Sequence, residues 1–305
     1  MTFTEHETSL AYQMLGHVGY YRLAGYAKHF ERPPGAGIPS HTYRAGTTFS
    51  QVVNLYCFDQ DLRNLCTEAL QRIEVSLRTM VCNKLSIVHS SPFWYAVANV
   101  FVPPQADDLL AGTDVLSKIY RAFEFDASTG VPYATRKLGR YTQLDTFYDN
   151  YSGPPPGWIL REIGSFGLWS RIFNELDDAS IRQSIAGEFK FPCRKKSIDE
   201  QLLRGWIHTL SVFRNACAHH QQLVNRAPKF PPSTPANPNW APIVPPVPTL
   251  RPVLGVIALV DKNTMANSPW VAQLHGLLEK YEPVIDLYAA AGFATDWAND
   301  PLWSI

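Results

Sequence analysis

A mainly α-helical protein with one extended, proline-rich insert is predicted by three features of the sequence. Apolar residues recur at three- and four-residue intervals over long stretches. Two of these stretches begin just after a Ser/Thr residue followed three positions later by Glu or Gln. Ten of the 24 prolines fall between Pro228 and Pro252. The first feature is the signature of one buried helix face, the second of a capping box, and the third excludes helix and central strand where it occurs.

The elements follow in order. "MLGHVGYYRLAGYAKHF", Met14 to Phe30, has aromatic and aliphatic residues at helical spacing, and predicts a helix or helix pair packed closely through Gly16, Gly19 and Gly25. Thr48 and Gln51 form a capping box for a long helix, with one break allowed, along which Leu55, Phe58, Leu62, Leu65, Ala69, Ile73, Leu77 and Met80 mark one apolar face. From residue 90 to 157 the periodicity weakens, and "SGPPPGW" closes that stretch with a turn. "WILREIGSFGLWSRIFNEL" resumes it, with Gly164 and Gly167 at close-approach or turn positions. Ser197 and Glu200 cap a third strong helix through "LLRGWIHTLSVFRNACAHHQQLVNR", and "SPWVAQLHGLLEKYEPVIDLYAAAGF" is helical again. The expected organisation is a helical core over residues 1–226, a linker or insert over 227–252 and a C-terminal helical segment over 253–305 packing on the core.

Composition narrows the function classes. The chain has 305 residues, 46% of them hydrophobic, enough to bury a real core. Lys+Arg and Asp+Glu are equal at 27 each, so no overall field draws in nucleic acid or an anionic membrane, and any polyanion site has to be a local patch. Cys57, Cys66, Cys82, Cys193 and Cys217 are odd in number and form no C-x-x-C pair, which fits a reducing cytoplasm better than a disulfide framework or a zinc ribbon. The start of the chain has no signal-peptide pattern, and the apolar run "VLGVIALV" is far too short to span a bilayer. A cytoplasmic protein with no membrane partner is expected.

The residues with chemistry lie in "FRNACAHH", 213 to 220. On a helical wheel Leu203, Trp206, Ile207, Leu210, Phe213 and Cys217 form one apolar stripe, and Arg214 falls in the middle of it. A guanidinium sealed in there without a partner would cost several kcal/mol, so the stripe should open at that level onto a carboxylate, a second subunit or an anion. His219 is about 140° around the helix from Arg214 and about 7.5 Å further along its axis, on the polar face with Arg204, His208 and Asn215. Asn215, four residues before His219, is placed to hydrogen-bond its ring and fix the tautomer. One chain need not bring Arg214 and His219 together, whereas a second copy across a two-fold axis could. Arginine plus histidine, with no evident metal site or serine nucleophile, suits RNA cleavage by the RNA's own 2′-hydroxyl: imidazole serves as base or acid near neutrality, and the guanidinium fork holds phosphate oxygens.

"FRNACAHH" also resembles the R-N-x-x-x-H pattern of HEPN ribonucleases, with Arg214, Asn215 and His219 at its fixed positions. "GYYRLAGY", "LYCFDQDLRNL" with "RIEVSLRT", "PPGWILREIGSFG", "RNACAHHQQLVNR" and "GFATDWANDPLW" occur in order and resemble blocks of the Abi family, the bacterial abortive-infection proteins of the AbiD and AbiF type. That resemblance implies a HEPN-like helical bundle and a homodimeric, metal-independent endoribonuclease, needing no cofactor, in antiphage defence. It also implies RNA as substrate and an antitoxin protein or small RNA as a possible restraint. Arg214 and His219 would be the catalytic pair, with Asn215 orienting them. His220, Glu74, Arg78, Arg22 and Arg226 would bind RNA or support the site. Family members often read S-R-L-W-N-R after the histidines, where this chain has "QQLVNR" and so one basic residue fewer. The proline-rich stretch is also longer than the family pattern suggests.

Other readings remain open at this level. Arg214 could simply pair with a carboxylate while His219 ends a helix, and Glu74 and Arg78 could be a surface ion pair worth about 0.2–0.5 kcal/mol. Arg22, Lys137 and Arg140 stand near Tyr20, Tyr21, Tyr133 and Tyr141, a combination suited to single-stranded RNA. His17, His29, His41 and His89 lack metal-ligand spacing. The alternatives to a nuclease are a catalytically silent HEPN module that binds RNA or a partner protein, and a metal-dependent hydrolase.

Overall fold

Reciprocal capping fixes where the longest element begins. In the computed structural model, which describes residues 5–33, 39, 41–136, 139–191, 198–236, 238–240 and 249–304, the Thr48 N–H donates to Gln51 Oε1 (3.1 Å) and the Gln51 N–H to Thr48 Oγ1 (3.3 Å). The helix that follows runs unbroken for 40 residues, so the break allowed by the sequence is absent. In chain order the elements are α1 (Glu5–His17), α2 (Tyr20–Ala27), α3 (Phe49–Val88), α4 (Ala106–Ala111), α5 (Val115–Ala122), the strands β1 (Phe125–Asp126) and β2 (Val131–Pro132), α6 (Thr142–Asn150), α7 (Gly157–Ile163), α8 (Phe166–Glu175), α9 (Ala179–Ala186), α10 (Glu200–Ala218), α11 (Arg251–Thr264), α12 (Trp270–Tyr281) and α13 (Leu287–Ala291). The protein is mainly α, as the periodicity predicts. β1 and β2 form one antiparallel hairpin in the stretch where helical periodicity weakens.

Residues 1–70 and 213–305 form one compact unit, and residues 71–212 a second. In the first unit the expected helix pair is α1 and α2, separated at Gly19, whose positive φ of 87° suits glycine. Close packing holds only at Gly25; a Cβ at Gly16 or Gly19 would meet nothing. Leu55, Phe58, Leu62, Cys66 and Ala69 of α3 are fully buried. α12 is tied to that helix by the Trp270 indole N–H donating to Leu65 O (2.9 Å) and by Tyr281 Oη and Lys280 Nζ donating to Asp61 Oδ2, each at 2.8 Å. The apolar run at 253 to 260 is buried on all sides in α11, as expected of a helix that is apolar all round. Arg251, at the start of α11, holds Asp300 through two bonds (Nε to Oδ2, 2.6 Å; Nη2 to Oδ1, 2.7 Å). Pro252 therefore belongs to a helix rather than to the extended insert, at a position where its missing N–H is not needed. Pro238 likewise begins a short 3-10 turn. Among the described residues no helix is long and apolar enough to cross a membrane.

The second unit is built on aromatic packing. Trp94, Tyr95, Phe123 and Trp169 are all buried, the Tyr95 hydroxyl donates to Pro155 O (2.6 Å), and Gly157 lies directly against the Trp94 indole. Ile73, Leu77, Val81 and Leu85 of α3 belong to this core. Ser197 lies outside the described residues; the Asp199 carboxylate caps the first turn of α10, accepting from the Leu202 N–H (2.8 Å). Arg182 of α9 pairs with Glu200 in the first turn of α10 (2.8 Å).

Two glycines that look alike in "REIGSFGLW" differ in surroundings. A Cβ at Gly164 would come within 2.8 Å of both Leu160 O and Trp169 Nε1, whereas at Gly167 it would meet only Ser165 Oγ at 4.0 Å. Gly164→Ala is expected to lower the free energy of unfolding by about 1–3 kcal/mol. Gly167→Ala, inside α8, should raise it by about 0.5–1 kcal/mol. Urea titration of the two variants beside the wild type checks both.

Candidate functional site

Burial of α10 follows the wheel. Leu203, Trp206, Ile207, Leu210, Phe213 and Cys217 are all buried, while Arg214 is half-buried and Asn215, His219 and His220 are exposed. Arg214 is thus at the margin of the apolar stripe rather than sealed within it, with its Nη1 donating to the Asn215 side-chain oxygen (3.3 Å). The expected bond from the Asn215 side chain to the His219 ring is not made. The helix ends at Ala218, so His219 leaves the wheel, and only its backbone N–H reaches Asn215, at the carbonyl (2.9 Å).

The helix end has a specific geometry. The His220 N–H bonds Cys217 O (3.1 Å), the Gln221 N–H bonds Ala216 O (2.9 Å), and His220 has a left-handed φ of 54°. This is a Schellman termination with histidine where glycine is usual. A residue with a Cβ costs about 1–2 kcal/mol in that conformation, so the surroundings must impose it. Arg22 of α2 donates to His220 O (2.9 Å), Arg63 to Gln221 O (3.3 Å), and the N–H groups of Leu223 and Val224 donate to Asp59 Oδ1 at 2.8 and 2.9 Å. Asp59 Oδ2 accepts from the Tyr26 hydroxyl (2.6 Å) and from Arg63. Asp59 is fully buried and Arg63 nearly so. Burial, and then the Asp59 charge, push the Tyr26 phenol well above its ordinary value. Burial also pushes the Cys217 thiol up to about 12, so it is not a thiolate nucleophile near neutrality.

Beside this helix end is an open cleft of about 400 Å³, lined by Tyr21, Arg22, His219, His220, Gln222 and Arg226, with further walls from Gly25, Tyr26 and Gln221. A second hollow of about 270 Å³ shares Gly25, Gln222 and Arg226 with it and adds Lys28, His29 and Asn225. Gly25 gives Gln222 its place here: a Cβ would come within 2.7 Å of Gln222 Oε1, and the amide would have to shift. His29 Nδ1 is 2.7 Å from Asn225 Oδ1, and burial lowers the pKa of its imidazole. Tyr21 and Tyr20 are 92% and 69% exposed, which leaves both rings open to a ligand. Among the described residues no carboxylate lines either hollow.

Four of the residues singled out in the sequence therefore come together: Arg22, His219, His220 and Arg226. Arg214 and Asn215 do not line the cleft. Glu74 and Arg78 belong to the second unit, where they form an ion pair with Glu74 buried, so they are not a surface pair. Lys137 lies outside the described residues. Asp59, Arg63, Lys28 and His29 were not anticipated. Asp59 and Arg63, charges four apart within the apolar face of "LYCFDQDLRNL", were the available signal. Among the described residues no group of three or more His, Cys, Asp or Glu could hold a metal ion.

A family model described as Abi-like protein matches residues 13–225, from α1 through the segment pinned by Asp59. The chain belongs to that family. Comparison with curated proteins and with solved structures gave no significant match. Family membership associates this Abi-like protein with abortive-infection resistance to phage. The match takes in the whole "FRNACAHH" segment and all the residues lining the cleft except Arg226. At the second position of "QQLVNR", this Abi-like protein puts Gln222, which donates to Gly25 O (3.3 Å) and Val224 O (3.2 Å) and forms a neutral wall of the cleft.

Removing the buried anion should be costly. Asp59→Ala leaves Arg63 uncompensated and should lower the unfolding free energy by about 3–5 kcal/mol. His220→Gly relieves the left-handed residue and should raise it by up to about 1 kcal/mol. Urea unfolding measures both, and a destabilised His220→Gly would contradict this account of the helix end.

Proposed function

We propose that this Abi-like protein is a metal-independent endoribonuclease that uses Arg214, Asn215 and His219 of two copies of the chain, and that its role in phage resistance is exercised by cutting RNA. The observation that carries this reading is the cleft at the end of α10, where His219 and His220 stand beside Arg22 and Arg226 with no carboxylate in the lining. Cations and aromatic rings on one surface suit a phosphodiester chain, with the guanidinium groups on phosphate oxygens and Tyr21 against a base. An imidazole removes the proton of a 2′-hydroxyl; that oxygen attacks the adjacent phosphorus, the bond to the 5′-oxygen breaks, and the departing oxygen takes a proton. The products are a 2′,3′-cyclic phosphate and a 5′-hydroxyl. A fixed guanidinium stabilises the charge that builds on the phosphoryl oxygens.

Arg214 does not line the cleft that holds His219, and this motivates the dimer. In a two-fold pair, Arg214 of one copy can serve His219 of the other. A second reading, a module that binds RNA without cutting it, draws on the His219 ring, which makes no hydrogen bond among the described residues and so is not oriented within one chain.

The test is incubation of the purified protein with total bacterial RNA in chelator, followed by mapping of new ends. His219→Ala should slow cleavage by about 10²–10⁴-fold, and Arg214→Ala by about 10²–10³-fold. Cleavage unchanged in both variants overturns the assignment, and RNA bound but uncut by the wild type supports the binding module. Mixing the two inactive variants should restore about a quarter of the activity, because half the dimers then carry one intact shared site. No restoration would mean that each copy uses its own pair.

A further inference from the structure

The second unit contains a cleft that the proposed nuclease does not use. It has a volume of about 480 Å³, within the range that holds small ligands, roughly 300–1,000 Å³. Among the described residues four cations line it, Lys118 and Arg121 from α5, Arg140 from the loop before α6, and Arg171 from α8, and no carboxylate does. Arg171 is neutralised by Glu175 and Arg140 by Glu124, both outside the lining. Among the described residues Arg121 donates only to a carbonyl, Gly112 O at 3.0 Å, and Lys118 makes no ion pair. Like charges are therefore held together around an open space in a chain whose net charge is zero. Burial, and then repulsion from Arg171, lower the Lys118 pKa, with Arg121 adding to the effect and Glu175 and Asp108, both outside the lining, opposing it.

Two further features specify the ligand. The first turn of α8 lines the same cleft: Ser165 caps the helix by accepting the Leu168 N–H (3.2 Å), and Gly167 adds no side chain over the turn, where a Cβ would meet only Ser165 Oγ at 4.0 Å. A helix N-terminus beside cations favours an anion with several acceptor oxygens. Next to it the Arg140 guanidinium is 5.0 Å from the centroid of the Tyr141 ring, a flat surface on which a base can stack. We infer that this cleft binds a phosphorylated nucleotide, the phosphate among Lys118, Arg121, Arg171 and the first turn of α8, and the base on the stack of Arg140 and Tyr141.

The phosphate could come from a free nucleotide or from the end of an RNA chain. Calorimetric titration of the purified protein with adenosine 5′-monophosphate, adenosine and inorganic phosphate tests the assignment. The monophosphate should bind, with adenosine and inorganic phosphate each at least about tenfold weaker. Adenosine binding as tightly as its phosphate overturns the phosphate site, inorganic phosphate binding as tightly as the nucleotide overturns the base platform, and no binding of any of the three overturns the whole assignment. Gly167→Asp puts a carboxylate into the mouth of the cleft where there is room for it and where the helix dipole tolerates it, so the fold should survive while binding falls at least about tenfold. Lys118→Gln should have the same effect, and unchanged binding in both variants overturns the proposal. A 5′-phosphorylated octauridylate that displaces the monophosphate identifies an RNA end as the source. Failure to displace it, with the monophosphate bound, identifies a free nucleotide.

Discussion

A single buried carboxylate organises the candidate site. Asp59 has no exposure to solvent, and its two oxygens accept from the Tyr26 hydroxyl, the Arg63 guanidinium and the consecutive N–H groups of Leu223 and Val224. A charge in the interior is tolerable only when its lone pairs are filled, and here they are filled from three separate parts of the chain. α2, α3 and the segment after α10 are thus tied to one group. Because α2 also supplies Arg22, and the segment after α10 includes His220 and Arg226, the same knot sets the walls of the cleft. Structural need and functional placement meet at Asp59, which itself has no part in the proposed chemistry.

The end of α10 shows how such a knot can hold a strained residue. A histidine in the left-handed region has no local reason to be there. Arg22 and Arg63 take the carbonyl oxygens of His220 and Gln221, and Asp59 takes the two N–H groups that follow, so the backbone from 220 to 224 has little freedom left. The turn brings both histidines to the rim of a cavity instead of continuing them around the helix surface. Neutrality of the whole chain conceals this kind of local design. Equal numbers of acids and bases still leave two hollows in the first unit and one cleft in the second without a carboxylate in their linings.

Much of the fold was legible because helical periodicity is a local property. The Thr48–Gln51 cap, the buried face of α3 and the apolar stripe of α10 depend on residues three and four apart, and each can be read without knowing what packs against it. The glycines were less legible. Whether a missing Cβ matters depends on a distant neighbour, Gln222 for Gly25 and the Trp169 indole for Gly164, while a Cβ at Gly16 would meet nothing and one at Gly167 only Ser165 Oγ at 4.0 Å. The proline rule also overreached at one point, since the first turn of a helix accepts the residue that its interior rejects, and Pro252 is in that position.

By itself the sequence determined that the protein is mainly α, that α10 buries the stripe on which Phe213 and Cys217 lie, and, through its resemblance to known blocks, the family to which it belongs. Only the tertiary structure decided that Arg22 and Arg226 join His219 and His220 in one cleft, that Arg214 faces Asn215 outside it, and that the Asp59–Arg63 pair is an interior anchor rather than a surface ion pair. The physical reason is the range of the interactions. Periodicity and capping act within one helical turn and are written in consecutive residues, whereas a hydrogen bond from Leu223 to Asp59 joins positions 164 residues apart and exists only once the chain has folded.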